Sequence, residues 1–132
     1  MHATDSPLSF SADLSGCAAL PVLAVDEVAD LFIAAVGGAG ATIVDTVSHS
    51  SPSRGLTCVL ILGESHAVLH TWPDTGTINI DIFARTPRLR SVEAINELGR
   101  CFGAQQIAIQ EIARARGHVR ASSPPTGAVP AD

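Results

Sequence analysis

What most constrains the fold is a set of three strand-length segments placed close together between Leu56 and Ala84. Leu56 to Leu62 is a continuous apolar run, short enough for a buried strand. Gly63-Glu64-Ser65 interrupts it, and His66 to Trp72 extends again. Pro73-Asp74-Thr75-Gly76 has the composition of a turn. Thr77 to Ala84 then alternates, with Ile78, Ile80 and Ile82 on one face and Asn79, Asp81 and Phe83 on the other.

Two helices and three further strands flank this block. Leu8, Phe10, Ala12 and Leu14 alternate with small polar residues as a half-buried strand does, and Gly16 and Pro21 break it. Asp26 and Glu27 open a segment with Val28, Leu31, Phe32, Ala35 and Val36 at helical spacing, closed by Gly37, Gly38 and Gly40. Ala41 to Ser48 is β-branched and strand-like, and Ser50 to Gly55 is a loop by composition. After Pro87, Val92, Ile95, Leu98 and Phe102 form the apolar stripe of a second helix that ends at Gly103. Gln105 to Ile112 completes the order as a strand with Ile107 and Ile109 inward. This order predicts an α+β two-layer sandwich, one mainly antiparallel sheet with both helices on one face. A single domain is expected over 1–116, with a disordered Pro- and Ser-rich tail over 117–132.

Composition removes several classes of function. The 132 residues are 46% hydrophobic, yet contain no apolar run of about 18 residues, so a membrane span is not expected. The stretch from Met1 to Phe10 carries Asp5 and no basic residue, a poor secretory signal, and a cytoplasmic protein is expected. Seven of the eight basic residues follow Ser65, but Glu93, Glu97 and Glu111 interleave with them, so no nucleic-acid surface is predicted. Cys17, Cys58 and Cys101 form no C-x-x-C pair, which argues for buried free thiols rather than disulfides or zinc. The chain contains no lysine, which closes the pyridoxal-phosphate route, because that cofactor is held on a lysine amine.

The chemistry concentrates between Gly63 and Asp74. His66 and His70 are four apart, but on a strand that spacing spans roughly 13 Å and cannot close on one metal ion. Gly63-Glu64-Ser65-His66-Ala67 approaches the G-x-S-x-G elbow of serine hydrolases, but the second glycine is Ala67 and the element order is wrong for that fold. Glu64-Ser65-His66, His70-Thr71-Trp72-Pro73-Asp74 and Asp81-Ile82-Phe83 together resemble the short prokaryotic S-adenosylmethionine decarboxylases. In that family E-S-H, H-T-W-P-E and D-x-F surround a self-cleaving serine. The likeness runs from about Leu8 to Ala113 and is densest from Glu64 to Phe83.

The resemblance implies that Ser65 Oγ attacks the Glu64 carbonyl, replacing an amide with an ester. Elimination and hydrolysis would then leave a β chain of 1–64 and an α chain of 65–132 that begins with a pyruvoyl group. That group, with no metal, would be the cofactor; its carbonyl forms a Schiff base with an amino-acid substrate and accepts electrons as CO2 leaves. His70 resembles the family's histidine of self-processing, and Thr57 stands for a serine that assists the same step. Read without the motif, they are a core histidine and a strand threonine. The family also implies a homodimer of αβ protomers.

Further positions depart from the family pattern. Arg85 replaces a cysteine that protonates the substrate carbon, and a guanidinium is a poor acid, so His70 or water would have to serve. Ser51 replaces a phenylalanine that stacks on adenine, and Asp74 replaces a glutamate that contacts the ribose. Trp72 is retained, as a ligand contact or a sheet-packing aromatic. The N-terminal Gly-x-His is missing near Leu8 to Phe10. These departures leave S-adenosylmethionine, for spermidine synthesis, beside L-arginine or L-ornithine as substrates; with the latter, Asp74 could meet the cationic end and Arg85 the carboxylate. A non-catalytic regulatory paralogue is a further alternative.

Overall fold

The computed structural model describes residues 6–115; the expected tail over 117–132 lies outside them. In chain order the elements are β1 (Leu8–Ser15), α1 (Val25–Gly38), β2 (Asp45–Ser50), β3 (Leu56–Leu62), β4 (Ser65–Trp72), β5 (Thr77–Ala84), α2 (Ser91–Phe102) and β6 (Gln106–Ala113). The strands form one sheet in the order β2-β3-β4-β5-β1-β6, and all five pairings are antiparallel. The short loops of the central block give consecutive neighbours, whereas α1 carries the chain from β1 across to the far edge, and α2 returns it to β6.

Period-two alternation sorts the side chains. Leu56, Cys58 and Leu60 on β3, Ala67, Leu69 and Thr71 on β4, and Ile78, Ile80 and Ile82 on β5 are buried in the layer under the helices. The helices supply Val28, Phe32 and Val36 from α1, and Ala94, Ile95, Leu98 and Phe102 from α2, to the same core. Arg90 ties the helices end to end: its N–H donates to Ala39 O at 2.9 Å and its Nη2 to Gly38 O at 2.9 Å. Among the described residues, the opposite face of the sheet carries no helix and stays open, with Val47 58% and Trp72 47% exposed. Among the described residues, no helix is long and apolar enough to cross a membrane.

Three local expectations are corrected. The strand expected over Ala41 to Ser48 lies at Asp45–Ser50, because the preceding residues close α1: Gly40 adopts φ +108° and Ala41 N–H reaches back to Val36 O. Val92 points away from the core and is 41% exposed, and Ala94 and Gly99 complete the buried stripe instead. Ile107 and Ile109 share a sheet face with the buried Leu14 and Ala12, but β6 is an edge strand and leaves each 37% exposed. Ile107 still approaches α2 so closely that a Cβ on Gly99 would overlap its Cδ1.

Candidate active site

The site residues gather at two places. The first is the tip of the β3–β4 hairpin. Leu62 pairs with Ser65, so only Gly63 and Glu64 form the turn. Gly63 has φ +76° and Glu64 is not in the positive-φ region, the pattern of a type II′ hairpin, which needs glycine first. Ser65 therefore opens β4 directly after the turn. Its Oγ accepts the N–H of Arg85 at 2.8 Å. Arg85 follows β5 immediately, and its Nε pairs with the Glu64 carboxylate. Beside this tip, on the open face, His66 stacks on Phe83 with ring centroids 5.5 Å apart at 15°. Arg114 lies 5.9 Å above the Phe83 ring and donates to Ser9 Oγ at 3.0 Å. A cleft of about 370 Å³ runs between Glu64, His66, Phe83, Asp81, Ser11 and Arg114.

The second place lies at the other end of β4. Thr57 and His70 face each other across the β3–β4 ladder, and Thr57 Oγ1 and His70 Nδ1 share a 2.7 Å hydrogen bond. The Trp72 ring sits 4.5 Å from the His70 ring, tilted by 53°. Trp72 Nε1–H donates to Asn79 Oδ1 at 2.7 Å, and Asn79 Nδ2 donates to Asp13 Oδ1 at 2.8 Å, which fixes the indole over the sheet. His49, Ser51, Thr57, His70, Trp72 and Asp74 line a cavity of about 210 Å³. Ser51 spends its hydroxyl on its own loop: Oγ accepts Gly55 N–H at 3.1 Å and lies 2.9 Å from Ser53 Oγ. Asp74, by contrast, has no cationic side chain within ion-pair distance among the described residues.

One chain does not bring the two groups together. Ser65 and His70 are five residues apart on a strand, about 16 Å, and alternation puts them on opposite faces. Sequence reasoning joined them because both belong to one motif. It missed Arg114, Asn79 and Asp13, which no spacing marks, and gave His66 and Phe83 no role although both stand in the motif. Thr71, quoted only as part of that motif, is buried, and its Oγ1 accepts Leu56 N–H at 2.9 Å, locking the row beside Thr57 and His70.

A two-layer antiparallel α+β sandwich with a serine at a hairpin tip and a histidine–threonine pair on its open face defines a class that known proteins populate. The S-adenosylmethionine decarboxylase family model matches residues 8–115. Over 103 residues the chain is 33% identical to the S-adenosylmethionine decarboxylase proenzyme of Acidithiobacillus ferrooxidans, covering 78% of this chain and 77% of that one. The proenzyme of Syntrophomonas wolfei is 31% identical over 103 residues, 78% of this chain and 82% of that one. The crystal structure of the adenosylmethionine decarboxylase from Aquifex aeolicus superposes with a TM-score of 0.74 at 22% identity, covering 91% of this chain and 99% of that one, and shows the same fold. The chain belongs to the S-adenosylmethionine decarboxylase family.

Proposed function

We propose that this chain is a self-processing precursor that cuts itself between Glu64 and Ser65 and becomes a pyruvoyl-dependent decarboxylase acting on S-adenosylmethionine. The observation that carries the reading is the placement of Ser65 at the hairpin tip with its Oγ held by a main-chain N–H, in a family whose relatives are called decarboxylase proenzymes. Because that Oγ accepts a hydrogen bond, its own proton is left to be taken. Attack on the Glu64 carbonyl moves the acyl group from nitrogen to oxygen. Elimination then releases the Glu64 carboxylate, and water exchanges the resulting imine nitrogen for a carbonyl, with ammonia leaving. The residues at the tip fit such a group: it would begin β4, beside the open cleft, with Arg85 N–H in reach of its oxygen. When formed, it supplies the electron sink that a chain without lysine cannot hold as pyridoxal phosphate.

The distant His70 enters through a second copy. The open sheet face bears Val47, Val59 and Val68 in one row across β2, β3 and β4, an apolar surface suited to self-association. Two-fold packing of open face on open face would set the hairpin tip that carries Ser65 in each copy against the His70 end of the other, the tip lying at the end of the ladder where the two faces meet. In the tautomer whose Nδ1–H donates to Thr57 Oγ1, His70 Nε2 is left to accept a proton. The functional unit is thus a homodimer of cleaved protomers, with its sites shared.

A second substrate reading is favoured at the Trp72 cavity. Ser51 offers no aromatic face and has its hydroxyl engaged, while Asp74 lacks a cationic partner among the described residues. A carboxylate beside an indole suits the cationic end of arginine or ornithine. Release of labelled CO2 by the purified protein separates the readings: the main one expects turnover of S-adenosylmethionine, abolished in Ser65→Ala. Turnover of arginine or ornithine alone supports the second. No turnover of any of the three, by protein that has cut itself, would refute the decarboxylase assignment.

A further inference from the structure

We infer that Arg85 is the positioning residue of the cleavage step, gripping the two residues that flank the bond to be broken. The inference rests on the proposed cleavage between Glu64 and Ser65. Arg85 makes two contacts of different kind: its main-chain N–H donates to Ser65 Oγ at 2.8 Å, and its guanidinium pairs with the Glu64 carboxylate. One residue thus holds the attacking oxygen by its backbone and the attacked residue by its side chain.

Stability does not explain the pair. The Arg85 side chain is 40% and the Glu64 side chain 74% exposed, and ion pairs in such surroundings contribute little to folding. Positioning does explain it. The step forms a bond from Ser65 Oγ to the Glu64 carbonyl carbon, breaks the bond from that carbon to the Ser65 nitrogen, and moves the hydroxyl proton to the departing amine. Its rate depends on how often Oγ sits in line with the carbonyl, and small displacements of such groups are expensive in rate. A guanidinium keeps its proton throughout, so Arg85 serves as a fixed charge and not as an acid.

The pairing also redirects an expectation. Arg85 as a partner for the substrate carboxylate would stabilise the charged ground state that decarboxylation must destroy. Glu64 occupies the guanidinium instead. After cleavage Glu64 ends in a second carboxylate, which adds to the negative charge facing the Arg85 guanidinium.

The test is a double-mutant cycle on the cleavage rate. Full-length wild type, Glu64→Gln, Arg85→Ala, the double variant and Arg85→Lys are synthesised in a cell-free pulse, and the cut fraction is followed by intact mass. Arg85→Ala and Glu64→Gln should each slow cleavage about tenfold or more, and the double variant should be no slower than either. Arg85→Lys, which keeps the charge, should recover most of the rate. Thermal midpoints, read in a Ser65→Ala background so that every chain stays whole, should match the parent throughout. Cleavage of Arg85→Ala at the wild-type rate, or additive losses in the double variant, would overturn the positioning role while leaving self-cleavage intact. A wild-type chain that stays whole would overturn the cleavage reading, and this inference with it.

Discussion

Replacing Gly63 by alanine isolates the contribution of the turn that presents Ser65. A Cβ at Gly63 would touch nothing within 4 Å, so no clash enters; the penalty is the φ of +76° alone. An L-residue held in such a sparsely populated region loses about 1–3 kcal/mol. Stiffening the unfolded chain returns about 0.4–1 kcal/mol, which leaves a net destabilisation near 1 kcal/mol. Gly40→Ala provides the contrast. Its φ is +108°, and its Cβ would lie 2.8 Å from the main-chain oxygen of Arg88, an atom that cannot swing aside. Strain and overpacking together should exceed about 2 kcal/mol there. Thermal unfolding followed by circular dichroism, with Ser65→Ala as background so that all chains stay uncut, reads both. For a domain of this size Gly63→Ala should lower the midpoint by about 3–5 °C and Gly40→Ala by at least twice that. Equal midpoints for Gly63→Ala and its parent, or a larger loss at Gly63 than at Gly40, would refute the dihedral argument.

Three further outcomes follow from the same geometry. Thr71→Val keeps the shape but strands the buried Leu56 N–H, and should cost about 1–3 kcal/mol in urea unfolding; no loss would mean that this bond does not hold the register. Co-expression of Ser65→Ala with His70→Ala should restore cutting of the His70→Ala chain, which alone should stay whole; an uncut mixture would contradict shared sites between copies. Burial raises all three thiols above their ordinary 9.0, but Cys17 and Cys58 are closed off from solvent while Cys101 is half-buried, so in the native protein an alkylating reagent should label Cys101 first. The raised thiols also make stability full below pH 9.0 and falling as pH rises towards their folded values, because the unfolded chain loses those protons first. Labelling of all three at equal rates, or a midpoint that does not fall from pH 8 to pH 10, would contradict their burial.

The central strands were legible because hydrophobic period and turn chemistry agree there: the register of Leu56–Leu62, Ser65–Trp72 and Thr77–Ala84 follows from two short turns. The residues before β2 misled because β-branched composition marks the reach of a strand and not where it begins; the closure of α1 around Gly40 is a tertiary event. Val92 occupies a helical position that fits the stripe on a wheel, yet α2 turns Gly99 against Ile107 of β6 and buries Ala94, which leaves Val92 outside the core. At the site, the resemblance grouped Ser65, His70 and Thr57; Thr57 and His70 meet across the β3–β4 ladder, but alternation along β4 puts Ser65 on the other face. Arg85 was legible only as an exception to a pattern; its ion pair with Glu64 depends on β4 and β5 ending side by side.

Self-processing turns on the bond between Glu64 and Ser65, and intact mass of freshly purified protein under denaturing conditions reads it directly. Two fragments are predicted, 1–64 and 65–132, the second lighter by one ammonia than a chain that begins with serine. A single uncut chain, persisting after long incubation, would contradict self-processing and point to a regulatory paralogue that binds without catalysis.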